Sequence, residues 1–204
     1  MRTTLFWVFA ALGIVGCGSA HQRSSRPVGV TGVDIASVAP RPFPSPRRGA
    51  ACPRTPGHHA TGHEQVVTLG SGPVYVIPGF STAPPAAAGV VDYDAGGRGD
   101  RRRGGFWENK MLFFRSPSYV GPITIEGRQL DGRHPVDWLI ENGVRVRSLS
   151  FPEQGEWFPT SALLQAAGCY ALRLDGRSFS DVVVFRAVGD ATFRRLAKLP
   201  PPRM

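Results

Sequence analysis

Lysine is all but missing from this chain. Lys110 and Lys198 are the only two, so a Lys+Arg total of 24 is carried almost entirely by arginine. Acidic residues are also few, Asp+Glu 15, and the formal net charge is +9; losing Arg2 with a leader would lower it by one. The arginine bias, together with 25 glycines and 19 prolines, points to GC-rich coding rather than to an activity. No apolar run reaches the roughly 20 residues a bilayer span requires, which argues against a membrane-spanning helix. No long stretch has the 3.6-residue apolar period, which argues against a helical bundle. No glycine loop that could cradle a phosphate precedes a helix. Gly79-Phe-Ser81-Thr-Ala83 lacks the second glycine of a serine-hydrolase elbow. The aspartates of Asp92-Tyr-Asp94 to Asp100 lack the closing glutamate of a calcium loop, and the adhesion-type tripeptide Arg98-Gly99-Asp100 is too short to carry meaning. The stretch reads as a basic, glycine-rich surface loop.

Cysteine is scarce too, with three in all, and their positions are informative. Met1-Arg2-Thr-Thr4 is followed by an apolar run, Leu5 to Val15, which is the layout of a secretory signal. The run ends in Leu12-Gly-Ile-Val-Gly-Cys17, a bacterial lipobox: aliphatic residues, a small residue, then the cysteine whose sulfur receives a diacylglycerol. Cleavage would leave Cys17 as the new N-terminus, open to further acylation such as palmitoylation, and two or more acyl chains give stable anchoring where one does not. The alternative is an ordinary signal peptide cut near Ser19-Ala20. Once Cys17 is lipidated, Cys52 and Cys169 remain, an even pair in an oxidising compartment, and are expected to form a disulfide. The partner expected is therefore the membrane through Cys17, with an envelope protein or an anionic wall polymer drawn to the basic surface. An exported chain is not expected to meet nucleic acid.

From Gly18 to about Gly62 the chain is polar and rich in proline, as in Pro40-Arg-Pro-Phe-Pro-Ser-Pro-Arg-Arg48. Such density blocks helix and central strand and reads as a tether. His58, His59 and His63, with Glu64, are weak candidates for a transition-metal site. Their spacing fits no helical ligand pair, and the plainer reading is a polar linker. No cofactor is expected.

Beyond Gln65 the texture is that of strands. Gln65–Leu69, a Gly70-Ser-Gly72 turn and Val74–Ile77 read as strand, turn, strand. Phe106–Arg115, Ile123–Leu130 and Val144–Leu149 follow, with Ile123 and Ile125 on one face. Thr160 or Ser161 is expected to cap one helical turn through Ala166, closed by Gly168. In Gly168–Leu174, Tyr170, Leu172 and Leu174 point one way, and Cys169, Ala171 and Arg173 the other. Asp175-Gly176 marks a hairpin turn, and Val182–Phe185 is a run buried on both faces. A short helix is expected between Asp190 and Leu199. The boundaries are 1–16 signal peptide, 17–51 lipid-anchored flexible linker, 52–190 sandwich domain and 191–204 tail. The fold class is all-β, a two-sheet sandwich.

Cys52-Pro-Arg-Thr55, Gly121-Pro-Ile-Thr-Ile-Glu-Gly-Arg-Gln-Leu-Asp131, Phe158-Pro159 and Gly168-Cys169-Tyr170 together resemble a group of exported bacterial proteins. Those carry Cys-Pro-Val-Thr, Leu-Thr-Ile-Glu-Gly-Arg-Arg-Leu-Asp and a late Gly-Cys-Trp. The resemblance spans about residues 52 to 188 and implies an immunoglobulin-like sandwich. Tyr170 stands for Trp and Arg54 for Val, which leaves the two cysteines in place. An antibody-type tyrosine corner would put Tyr at position 167, where this chain has Ala167. The motifs imply no chemistry. The candidates for catalysis, His134 or a carboxylate such as Asp137 or Glu141, have no local partner, and surface solvation is the default reading. The function expected is a non-catalytic binding or structural module of the cell envelope, with Arg145 and Arg147 meeting the partner. A surface hydrolase, or a metal-handling lipoprotein using His58, His59 and His63, is the alternative.

Overall fold

The computed structural model describes residues 38–60, 63–78, 89–92, 106–140 and 143–189. The leader, Cys17, His21, Ser81, Asp94 to Asp100, Glu141 and the expected helix after Asp190 lie outside the described residues. The described residues form twelve strands: β1 (Gly57–Ala60), β2 (His63–Leu69), β3 (Val74–Pro78), β4 (Val90–Asp92), β5 (Trp107–Arg115), β6 (Ile123–Gln129), β7 (Asp137–Leu139), β8 (Arg145–Val146), β9 (Ser148–Phe151), β10 (Trp157–Leu164), β11 (Gly168–Gly176) and β12 (Ser180–Val188). They form two sheets, ordered β1-β2-β3-β5-β10-β7-β8 and β4-β12-β11-β6-β9. The protein is an all-β sandwich, with no α-helix among the described residues.

The alternation read from the sequence sets the core. Ile123, Ile125, Tyr170, Leu172, Leu174, Val183 and Phe185 face inward from the smaller sheet and meet Val74, Val76, Met111, Phe113, Trp138 and Leu164 of the larger one. Trp138 is fully buried and packs edge-on against Phe113, ring centroids 5.8 Å apart. Gly127 of β6 is tightly packed: a Cβ there would lie 2.7 Å from Leu172 Cδ2 on the neighbouring strand β11 and from Val136 Cβ just ahead of β7. Only glycine fits such an approach without displacing a packed neighbour.

The expected helical turn at 160–166 is not there. Residues 160–164 belong to β10, which pairs antiparallel with β5 along its whole length, from Trp157↔Phe114 to Leu164↔Trp107, and 165–167 form the bend into β11. Helix propensity in Ala162-Leu-Leu-Gln165 is worth tenths of a kcal/mol per residue; a full ladder with Ala162 and Leu164 buried in the core outweighs it. Pro159 is tolerated because β7 reaches β10 only from Ser161 to Leu163, so at Pro159 the strand has one neighbour. The reading of Val144–Leu149 as one strand also changes. The chain leaves the larger sheet after β8, turns at Arg147, and enters the smaller sheet as β9.

The C-terminal hairpin forms as expected, but its turn lies two residues later. Asp175 pairs with Ser180, and Gly176 N–H donates to Phe179 O at 2.9 Å, leaving Arg177-Ser178 as the turn. Gly176 is a strand residue paired with Ile123, and glycine suits it because a side chain there would collide with the Phe179 ring and lie 2.6 Å from the Tyr119 hydroxyl. The hydroxyl of Tyr170, one residue after Cys169, donates to Ala166 O at 2.8 Å. That bond ties the start of β11 to the preceding loop, from the opposite side of the cysteine to an antibody-type corner.

Candidate functional site

The outer face of the smaller sheet carries Cys169, Ala171 and Val184, a second apolar cluster backed by Phe43, Cys52, Leu130 and Val182. An apolar outer face requires a cover, and the segment before β1 supplies it. Residues 41–55 run as an extended strap with no sheet ladder of their own. The Arg41 backbone N–H donates to Ser180 Oγ at 2.7 Å, and its guanidinium lies 3.6 Å from Asp181. The Phe43 ring sits under two guanidinium groups, Arg128 at 4.9 Å and Arg173 at 5.3 Å from its centroid. Thr55 closes the strap: its N–H donates to Val184 O at 2.9 Å, and its Oγ1 accepts from Val184 N–H at 2.8 Å. These contacts also occupy the free edge of β12 ahead of β4, which pairs in parallel from Arg186 to Val188, so little of that edge is left open to a foreign strand.

Cys52 and Cys169 form the expected disulfide, with Cα atoms 5.4 Å apart. It pins the strap to β11 on the outer face of the sheet and does not cross the core between the sheets. The loop after β6 meets the same junction. Leu130 N–H donates to Cys169 O at 2.6 Å, and Asp131 Oδ1 accepts from Cys169 N–H at 2.9 Å. A cavity of about 360 Å³ opens between strap, loop and disulfide. Its wall includes both cysteines, Arg47 and Arg48 from the strap turn, and Asp131, Gly132 and Arg133 from the loop. The strap turn is closed by Ala50 N–H donating to Arg47 O at 2.9 Å, with Gly49 at φ +79°, a conformation that favours glycine.

The histidines do not converge with this junction. They also do not lie in a linker: His58 and His59 are in β1, and His63 begins β2. As consecutive strand residues, His58 and His59 send their side chains to opposite faces, which separates them as joint ligands. The His58 ring stands edge-on to Tyr75, centroids 5.5 Å apart. No group of three or more His, Cys, Asp or Glu side chains is placed to hold a metal among the described residues.

Arg145 and Arg147 are drawn to the chain's own Asp137. Its carboxylate, 1% exposed, is reached by Arg147 Nη1 at 3.0 Å and Arg145 Nε at 3.5 Å. Neither oxygen has a well-formed hydrogen bond, so the contact is an ion pair rather than a directional fork. Arg145 also lies 4.7 Å over the Phe106 ring. Sequence reasoning placed both arginines on a half-buried strand but did not see the carboxylate they neutralise. His134 offers its backbone carbonyl to Gln129 N–H at 2.7 Å, closing the 130–133 loop.

The cavity arginines and the strap were missed. Arg47 and Arg48 lie in sequence that reads as a tether, and the signal against that reading is Phe43, a large aromatic among prolines nine residues ahead of Cys52.

No family model matches the chain, and no curated protein matches it. Among solved structures it is similar to the crystal structure described as "a Putative Lipoprotein from Bacillus anthracis", at 11% identity, TM-score 0.44, over 69% of this chain and 88% of that one. A likeness at that level bears on neither activity nor partners.

Proposed function

We propose that this protein is a bacterial cell-envelope lipoprotein: a non-catalytic binding or structural sandwich held to the membrane through acylated Cys17 and facing away from the cytoplasm. The observation that carries the reading is the Cys52–Cys169 disulfide. A cross-link of this kind persists in oxidising compartments, which is where a lipobox at Leu12–Cys17 would deliver the chain. The strap adds a mechanical reason. It runs from the lipid side of the sequence and is bonded covalently to β11, so a pull transmitted from the anchor would be borne by the disulfide and not by the first strand of the sandwich. The formal charge of +9 favours anionic partners at a membrane or wall surface, and binding to wall polymers is expected to weaken as salt rises.

Fractionation tests the anchor. The wild-type chain is expected in the membrane pellet, and Cys17→Ser is expected in the soluble exported fraction. Equal partitioning of the two would refute lipid anchoring at Cys17.

A further inference from the structure

We infer that the cavity beside the Cys52–Cys169 disulfide is an anion site, and that its ligand carries a phosphate group. Three arginines line one concavity: Arg47 and Arg48 from the strap turn, Arg133 from the loop after β6. None of the three has an ion-pair partner among the described residues. The single carboxylate in the wall, Asp131, already accepts the Cys169 N–H at 2.9 Å, and its charge offsets only one of the three. Elsewhere on the domain arginines find acidic or aromatic neighbours: Arg173 with Glu126 and Asp175, Arg177 with Glu153, Arg128 over Phe43. Three positive charges without an ion-pair partner among the described residues thus meet at the cavity wall.

The walls are held in place. The disulfide fixes the strap against β11, and the loop is closed by Gln129 N–H to His134 O and Leu130 N–H to Cys169 O. Both arginine-bearing segments therefore keep their spacing without a ligand. The Gln129 carboxamide oxygen is buried without a hydrogen-bond partner and abuts Gly132, part of the same wall. A volume of about 360 Å³ falls at the small end of ligand sites. Guanidinium groups suit phosphate oxygens in charge and in fork geometry. A lipid headgroup and a free phosphate share this chemistry, and the vesicle arm of the experiment separates them.

The inference rests on the reading of this domain as a binding module, and not on the anchor. The test therefore uses the full chain carrying Cys17→Ser, so that no acyl group contributes. Calorimetric titration with inorganic phosphate at low ionic strength is expected to show binding. Arg47→Gln, Arg48→Gln and Arg133→Gln together are expected to weaken it at least about tenfold, the effect of losing a charge-assisted contact. A control triple with the same loss of charge, Arg41→Gln, Lys110→Gln and Arg177→Gln, none of them in the cavity wall, is expected to stay within about twofold of the parent, since distant charges are screened. Equal weakening in both triples, or no phosphate binding by the parent, would overturn the site. Retained wall-polymer binding in that event would leave the binding-module reading standing. Phosphatidylglycerol vesicles identify the source: release from vesicles by inorganic phosphate assigns the cavity to a lipid headgroup. Phosphate binding without such release assigns it to a soluble or polymer phosphate.

Discussion

Removing the disulfide is the perturbation whose size follows most directly from the structure. Cys52 and Cys169 are separated by 117 residues, and a cross-link closing a loop of that length restricts the unfolded chain by about 4–5 kcal/mol in the chain-entropy relation. Other holds on the strap survive its loss: Arg41 to Ser180, Thr55 to Val184, and Phe43 beneath two arginines. Each hydrogen bond among them is worth about 1 kcal/mol net. The inner core does not involve either cysteine. Cys52→Ala with Cys169→Ala is therefore expected to leave a folded sandwich with a lower melting temperature. For a domain of this size, 4–5 kcal/mol corresponds to a fall of roughly 10–20 °C. Thermal unfolding followed by circular dichroism, in a Cys17→Ser background for parent and variant, measures it. Adding reductant to the parent should produce a similar fall. A drop of less than about 3 °C in both experiments would refute the claim that the cross-link contributes through the unfolded chain.

Two further predictions concern buried charge. Arg115 is 4% exposed; its Nη1 donates to Gly121 O at 2.9 Å and Pro152 O at 3.0 Å, its Nη2 donates to Gly155 O, and its guanidinium lies 5.2 Å over Phe158. Arg115→Met strands three carbonyls and is expected to cost about 3–5 kcal/mol in urea unfolding; Arg115→Lys recovers only part, because an ammonium cannot span the fork, and a loss below about 1 kcal/mol for Met would contradict the account. Arg145→Ala with Arg147→Ala leaves Asp137 buried without its cations and is expected to cost about 2–3 kcal/mol. Adding Asp137→Asn to that pair should restore about 1 kcal/mol or more, since the uncompensated charge is gone, and no recovery would show that Asp137 is not held by these arginines.

Much of the smaller sheet was legible because its side chains obey a period of two. Tyr170, Leu172 and Leu174 face the core, Cys169 and Ala171 face the strap, and Val182–Phe185 is covered on both sides. What was hidden depended on partners distant in sequence. β4 is three residues long and exists because Arg186–Val188 pairs with it. β10 carries helix-forming residues and becomes a strand because β5 and β7 flank it. The switch of sheets at Arg147 leaves the alternation intact, so periodicity could not reveal it. The candidate site was half legible. The two cysteines announced the cross-link, but the arginines around it lie in proline-rich sequence whose order comes from Phe43 and the disulfide, not from local propensity. Arg115 shows the same limit: nothing in Phe113-Phe114-Arg115 announces that its charge is buried against three carbonyls contributed by residues 121, 152 and 155.

The central claim is that Cys17 is the lipid-bearing N-terminus of an exported chain whose other cysteines are joined. The intact mass of the protein from the membrane fraction, with alkylation before any reduction, tests it most directly. The account predicts a chain starting at Cys17, heavier by its acyl groups, with no alkylating reagent taken up. A mass beginning after Cys17, or alkylation at Cys52 or Cys169, would contradict it.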